Sequence, residues 1–255
     1  MEILKSEQYI NEKLTIQPVT KDRLSKMKED PYIDEKTRQF IEDNNLKWNP
    51  KTMSYDCEDN VRVLDDMVID GKLKIRFGKV GGDFDCSGHN LTALEGAPNG
   101  VGGHFYCSNN KLATLEGAPK KVGRDFDCSY NSLISLEGAP NEVGGYFNCG
   151  YNELTTLDGA PQEVRGGFYC TRNKLSTLKG APNEVGGDFY CISNKLTTLE
   201  GTPKKVGGHF DCTDNNLTTL EGAPQKVGGD FICYDNPNLV LPEDKPSWVK
   251  WKIIS

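Results

Sequence analysis

Eight cysteines, Cys86, Cys107, Cys128, Cys149, Cys170, Cys191, Cys212 and Cys233, each lie 21 residues from the next. A fixed period of that length builds a solenoid, because one such unit cannot bury its own apolar face and does so only against its neighbours. A representative unit runs Val206-Gly207-Gly208-His209-Phe210-Asp211-Cys212-Thr213-Asp214-Asn215-Asn216-Leu217-Thr218-Thr219-Leu220-Glu221-Gly222-Ala223-Pro224. Six columns stay nearly constant through the copies: the Val, the Phe two before each Cys, the Cys, the Asn three after it, and the Leu five and eight after it. Phe-x-Cys alternates with period 2, which predicts a short strand with Phe and Cys pointing inward and the middle residue pointing out. Each coil is expected to add one strand to a parallel sheet. The Asn column, Asn110, Asn131, Asn152, Asn173, Asn194, Asn215 and Asn236, sits at the strand's end. There a side-chain amide can bond backbone groups of its own coil and of the adjacent one. Glu-Gly-Ala-Pro and Gly-Gly follow, and their Gly and Pro density excludes a helix on the return side, which is expected to be extended and turn-rich.

The wording Phe189-Tyr190-Cys191-Ile192-Ser193-Asn194-Lys195-Leu196-Thr197-Thr198-Leu199 resembles the leucine-rich repeat, with Phe and Cys where that family usually has Leu or Val. Its short period is most similar to the bacterial type found in secreted effectors. One extra residue per coil, carried by the Gly-Gly turn, and Gly-Ala-Pro in place of Leu-Pro are departures from that type. The resemblance covers about 180 of 255 residues. It implies a right-handed solenoid poor in helix, with a parallel β-sheet on the concave face and an extended convex side. About function it implies little, since one fold hosts many activities. The near-identical copies, the Leu-Glu-Gly-Ala-Pro-x-x-Val-Gly-Gly wording, and Tyr9-Ile10-Asn11-Glu12-Lys13-Leu14 with Pro18-Val19-Thr20-Lys21 also resemble repeat proteins of large tailed bacteriophages. That second resemblance implies a phage or prophage origin and action in a host bacterial cytoplasm.

Outside the regular repeats, composition and spacing divide the chain. Residues 1–52 are Lys- and Glu-rich, and a short helical cap is expected there. Asp30 and Pro31 would make its N-cap and first turn, and Ile33, Thr37, Phe40 and Ile41 share one helical face. An exposed first coil would leave a strand edge and an apolar face open, so a cap is physically required. Residues 53–79 read as a transitional coil that starts with Tyr55-Asp56-Cys57, taken as a copy of the strand motif, and rejoins the pattern through Leu73, Ile75 and Phe77. Regular coils occupy 80–236. Residues 237–255 read as a C-terminal cap in which Trp248, Trp251, Ile253 and Ile254 close the core. A net charge of −7 disfavours nucleic acid as a partner. Neither a signal peptide at Met1 to Glu7 nor an apolar run near the roughly 18 residues of a membrane span is present, so a cytoplasmic protein is expected.

No catalytic constellation emerges. Thiols stacked at about 4.8 Å in a straight ladder do not converge on a zinc ion, and an undistorted sheet holds their Cβ atoms too far apart for disulfides. Buried, reduced cysteines without a neighbouring base are expected, with no cofactor and no metal. The variable positions three and one before each Cys and one and two after it define the expected binding face. Counting Cys57 as a coil, they carry twelve carboxylates: Asp56, Glu58, Asp59, Asp83, Asp85, Asp125, Asp127, Asp188, Asp211, Asp214, Asp230 and Asp235. Seven of the ten tyrosines join them: Tyr106, Tyr130, Tyr146, Tyr151, Tyr169, Tyr190 and Tyr234. Arg172 is their one Lys or Arg. Tyrosine supplies contact area at low entropic cost and carboxylates steer a basic surface. The expectation is a non-enzymatic module that binds a protein with a basic surface, neither nucleic acid nor membrane. Its predicted contacts are Tyr106, Tyr130, Tyr146, Tyr151, Tyr169 and Tyr190, with Asp83, Asp85, Asp125, Asp127 and Arg172. A structural, self-assembling repeat protein is the alternative.

Overall fold

The computed structural model describes residues 33–240, so the Asp30-Pro31 helix start and the closing residues Trp248, Trp251, Ile253 and Ile254 lie outside the described residues. Over that span the chain is a helix-poor parallel β-solenoid of about eight turns. Each regular coil contributes two strands rather than the expected one. The Phe strands, such as Phe126–Asp127 and Phe147–Asn148, form a nine-stranded sheet paired residue for residue at the 21-residue step. The residues before each Gly-Gly turn, such as Lys121–Val122 and Glu142–Val143, form a second sheet of ten strands. We call them the Phe sheet and the Val sheet.

The Gly-Gly turn between the two sheets is tight for a steric reason. A Cβ on Gly102 would overlap the carbonyl oxygen of Gly81, and one on Gly123 that of Gly102, so backbone packs closely on backbone at these positions. At the next corner Gly117 adopts φ +91°, and a Cβ there would lie 2.7 Å from the Leu94 carbonyl oxygen. Left-handed backbone and lack of room both select glycine.

The core runs the length of the solenoid. Phe84, Phe105, Phe126, Phe147, Phe168, Phe189, Phe210 and Phe231 stack face to face with centroids 5.0 to 5.6 Å apart. Beside them lie the columns of Val, Cys and paired Leu, nearly all fully buried. The asparagine ladder is present as expected. Asn173 donates through Nδ2 to the carbonyls of Cys149 (3.0 Å), Cys170 (3.1 Å) and Thr171 (3.5 Å), and its Oδ1 accepts the Leu154 N–H at 3.0 Å. His89 replaces Asn in the first regular coil and instead meets Asp65 through Nδ1 at 2.7 Å.

At the N-terminal end, helix α1 (Glu35–Asp43) is capped by Asp34, whose Oδ1 accepts the Thr37 N–H at 2.7 Å. Thr37 and Phe40 face inward, and Phe40 meets Phe77 edge-on at 6.5 Å. Phe77 in turn packs edge-on against Phe84 at 4.9 Å, so the helix seals the end of the ring stack. Strand β1 (Lys47–Asn49) runs antiparallel to β2 (Ser54–Cys57) and covers the first edge of the Val sheet.

This end also corrects the first coil. Tyr55-Asp56-Cys57 is not a copy of Phe-x-Cys: β2 belongs to the Val sheet, with Tyr55 opposite Phe77 and Cys57 opposite Val80. The Phe sheet starts instead at β3 (Val61–Arg62), with Val61 opposite Phe84 and Arg62 opposite Asp85. Cys57 to Val80 and Val61 to Phe84 are both steps of 23 residues, so this coil is two residues longer than the rest rather than eight.

Candidate partner-binding face

Because Phe and Cys point inward, the residue between them points out, and it is half-buried in every coil from Asp85 to Ile232. Four outward columns flank the strand, at three and one before the Cys and one and two after it. The first two are hydrogen-bonded in a way the sequence reading missed. In the column three before, a side-chain acceptor takes the backbone N–H of the same column one coil on. Asp83 Oδ1 accepts from His104 N (2.8 Å), Asp125 Oδ1 from Tyr146 N (2.9 Å), and Asp188 Oδ1 from His209 N (2.7 Å). Asn60 and His209 do the same for Asp83 and Asp230. In the column one before, Asp85, Asp127 and Asp211 accept the N–H two residues on and close the strand's end, and Asn148 does likewise.

Where these bonds form they use an acceptor and not a charge, since Asn60, Asn148 and His209 serve as well as aspartate. A Cβ on Gly82, Gly103, Gly145 or Gly208 would overlap Oδ1 of Asn60, Asp83, Asp125 or Asp188 respectively, so glycine there makes room for the acceptor of the preceding coil.

Above this ladder lies a patch of phenols. Tyr106 stacks on His104 at 5.4 Å, Tyr146 leans on Tyr169 at 5.7 Å, and Tyr169 stacks on Tyr190 at 5.2 Å. Gly167 makes the room, because a Cβ there would run into the Tyr169 ring. Tyr190 OH donates to Asp188 Oδ2 at 3.1 Å. Burial pushes the Tyr106, Tyr146 and Tyr169 phenols up, and the neighbouring Asp83, Asp125, Asp127 and Asp188 charges add to it. Tyr190 is pushed up to about 12 by burial, then by its bond to Asp188 and that residue's charge. The patch is thus neutral phenol among carboxylates at any physiological pH.

The predicted residues divide into two groups. Tyr106, Tyr146, Tyr169 and Tyr190 come together with Asp83, Asp125 and Asp127, while Asp85 lies at the N-terminal end with Arg62 3.9 Å away. Tyr130, Tyr151 and Arg172 form a separate stack in the column two after the Cys. Its rings are 4.1 Å apart and the guanidinium lies 5.4 Å from the Tyr151 centroid. All three have φ between 54° and 56°, and the two tyrosines are exposed. Bulky residues are uncommon in this left-handed region. Asp56, Glu58 and Asp59 leave the face, a consequence of the shifted first coil. Asp56 accepts from Lys79 N and Asn49 Nδ2 in the Val sheet, and Glu58 packs under the Gly81 turn. Asn60, Arg62, Leu64 and Asp65 take the corresponding places.

The cysteine column faces away from all of this. The Cys128, Cys170, Cys191 and Cys212 thiols donate to carbonyls of the next coil at 3.3 to 3.4 Å, and burial pushes every thiol up. On the Val sheet, an open groove of about 470 Å³ is lined by charges of both signs, Glu163, Arg165, Glu184 and Lys205. Among the described residues no helix is long and apolar enough to cross a membrane. No family model, curated protein or solved structure matches the chain.

Proposed function

We propose that this solenoid is a non-enzymatic binding module whose Phe-sheet face docks a protein with a basic surface. The observation that carries the reading is the continuous phenol patch of Tyr106, Tyr146, Tyr169 and Tyr190 set among carboxylates that the fold does not need as charges. Such bonds are served equally by Asn or His, yet Asp83, Asp85, Asp125, Asp127, Asp188 and Asp211 make most of them. Surplus charge of one sign beside aromatic contact area favours a basic partner by steering and by cation–π contact. The leucine-rich-repeat and phage-like wording supports a setting inside an infected bacterial cell, with a host protein as the target.

The test is capture from bacterial lysate at low and high salt by wild type and by a Tyr106→Ala, Tyr169→Ala, Tyr190→Ala variant of matched secondary structure. A partner retained by wild type, weakened by salt and lost in the variant supports the reading. A partner retained equally by both removes the face from it. Self-assembly is the competing class, and sedimentation that shifts with concentration would favour it.

A further inference from the structure

The step along the solenoid axis limits what can lie on this face. Backbone hydrogen bonds of 2.7 to 2.9 Å pair the Phe strands residue for residue from Phe84 to Phe189, which sets neighbouring coils about 4.8 Å apart. An α-helix advances about 5.4 Å per turn, whereas same-side residues of an extended chain are about 6.7 Å apart. Over the five steps from the Asp83 row to the Asp188 row a helix drifts by about 3 Å, less than one coil. An extended peptide runs ahead by about 10 Å, two coils.

The chemistry of the rows is equally specific. Asp83 with Asp85 and Asp125 with Asp127 form two carboxylate rows two coils apart, with the His104 and Tyr106 row between them. Tyr146, Tyr169 and Tyr190 occupy the next three rows. Two coils match two helical turns, or seven residues.

From the coil step and this order of rows, and resting on the proposed function, we infer that the partner's docking element is an amphipathic basic α-helix of about 18 residues laid along the solenoid axis. It carries Arg or Lys at i and i+7 against the two carboxylate rows. Apolar or aromatic residues at i+4, i+11, i+15 and i+18 meet Tyr106 and the three-tyrosine run. Chain direction is reversed if the partner binds the other way round, with the same spacing.

The probes are three synthetic peptides of identical composition, titrated into the full chain with circular dichroism and fluorescence anisotropy. One has the helical spacing, one places its cations at alternate residues, and one has the helical spacing interrupted by a proline moved from its terminus. At least tenfold tighter binding of the first, with helix signal appearing on binding, is the expected result. Asp125→Asn with Asp127→Asn should then reduce that preference, since both substitutions keep the Oδ1 acceptor. Equal binding of all three with salt sensitivity overturns the helix while leaving a basic partner standing. Absence of binding by any of them overturns both.

Discussion

Asn173 shows what a single residue does in this fold. Its amide reaches the carbonyls of two coils while its oxygen holds the N–H of Leu154, and the side chain is 9% exposed. Removing it leaves buried backbone groups without partners, at about 1 to 3 kcal/mol. Asn173→Ala should lower unfolding free energy by that amount in a denaturant titration, and a loss near zero would contradict the ladder. Asn173→Asp should be worse than Ala, because a carboxylate would face the Cys149, Cys170 and Thr171 carbonyls. Tyr190 supplies a pH test. Its folded value of about 12 lies above the ordinary 10, so the fold favours the neutral phenol. That contribution is complete below pH 10 and is lost as pH rises through 12. Ultraviolet titration should find this phenol un-ionised at pH 11, and a midpoint near 10 would place it in free solvent.

At the scale of the coil, stability comes from neighbours, so an interior ring matters through both faces. Phe147 lies between Phe126 and Phe168 at 5.3 Å on each side, fully buried. Phe147→Ala should destabilise by about 3 to 5 kcal/mol, read by thermal or chemical unfolding. Much of the coil was legible in advance. The strict columns of Phe, Cys, Asn and Leu each have one inward role, and the structure puts them there. The Val sheet was not legible, because a two-residue strand such as Glu163–Val164 is too short to show an alternating pattern. The first coil was misassigned for a related reason. Aromatic-x-Cys fits an inward-outward-inward strand in either sheet, and only the 23-residue step from Cys57 to Val80 tells which. Asp34 was likewise missed as the cap of α1, since Asp30 with Pro31 gives the more familiar start signal in the sequence.

For the whole molecule, the fold and the face separate cleanly. The two corners, the ring stack and the asparagine ladder make a rod whose architecture follows from its period. The phenols and carboxylates on the Phe sheet are what that architecture presents on its surface, and in the proposed function they meet the partner. The eleven predicted contact residues all fall on that sheet's outward columns, and what the sequence concealed is that most of its aspartates also serve the backbone. Alanine substitution would therefore confuse folding with binding. Asparagine does not, since Asn60 and Asn148 already fill the same two columns. The most direct test is the affinity of the captured partner for wild type and for an Asp83→Asn, Asp125→Asn, Asp127→Asn variant, measured by calorimetry alongside the melting temperature. The account predicts an unchanged melting temperature with affinity reduced at least tenfold and a weaker dependence on salt. Unchanged affinity at unchanged stability would show that these carboxylates serve the coil alone and that the acidic face is not the docking surface.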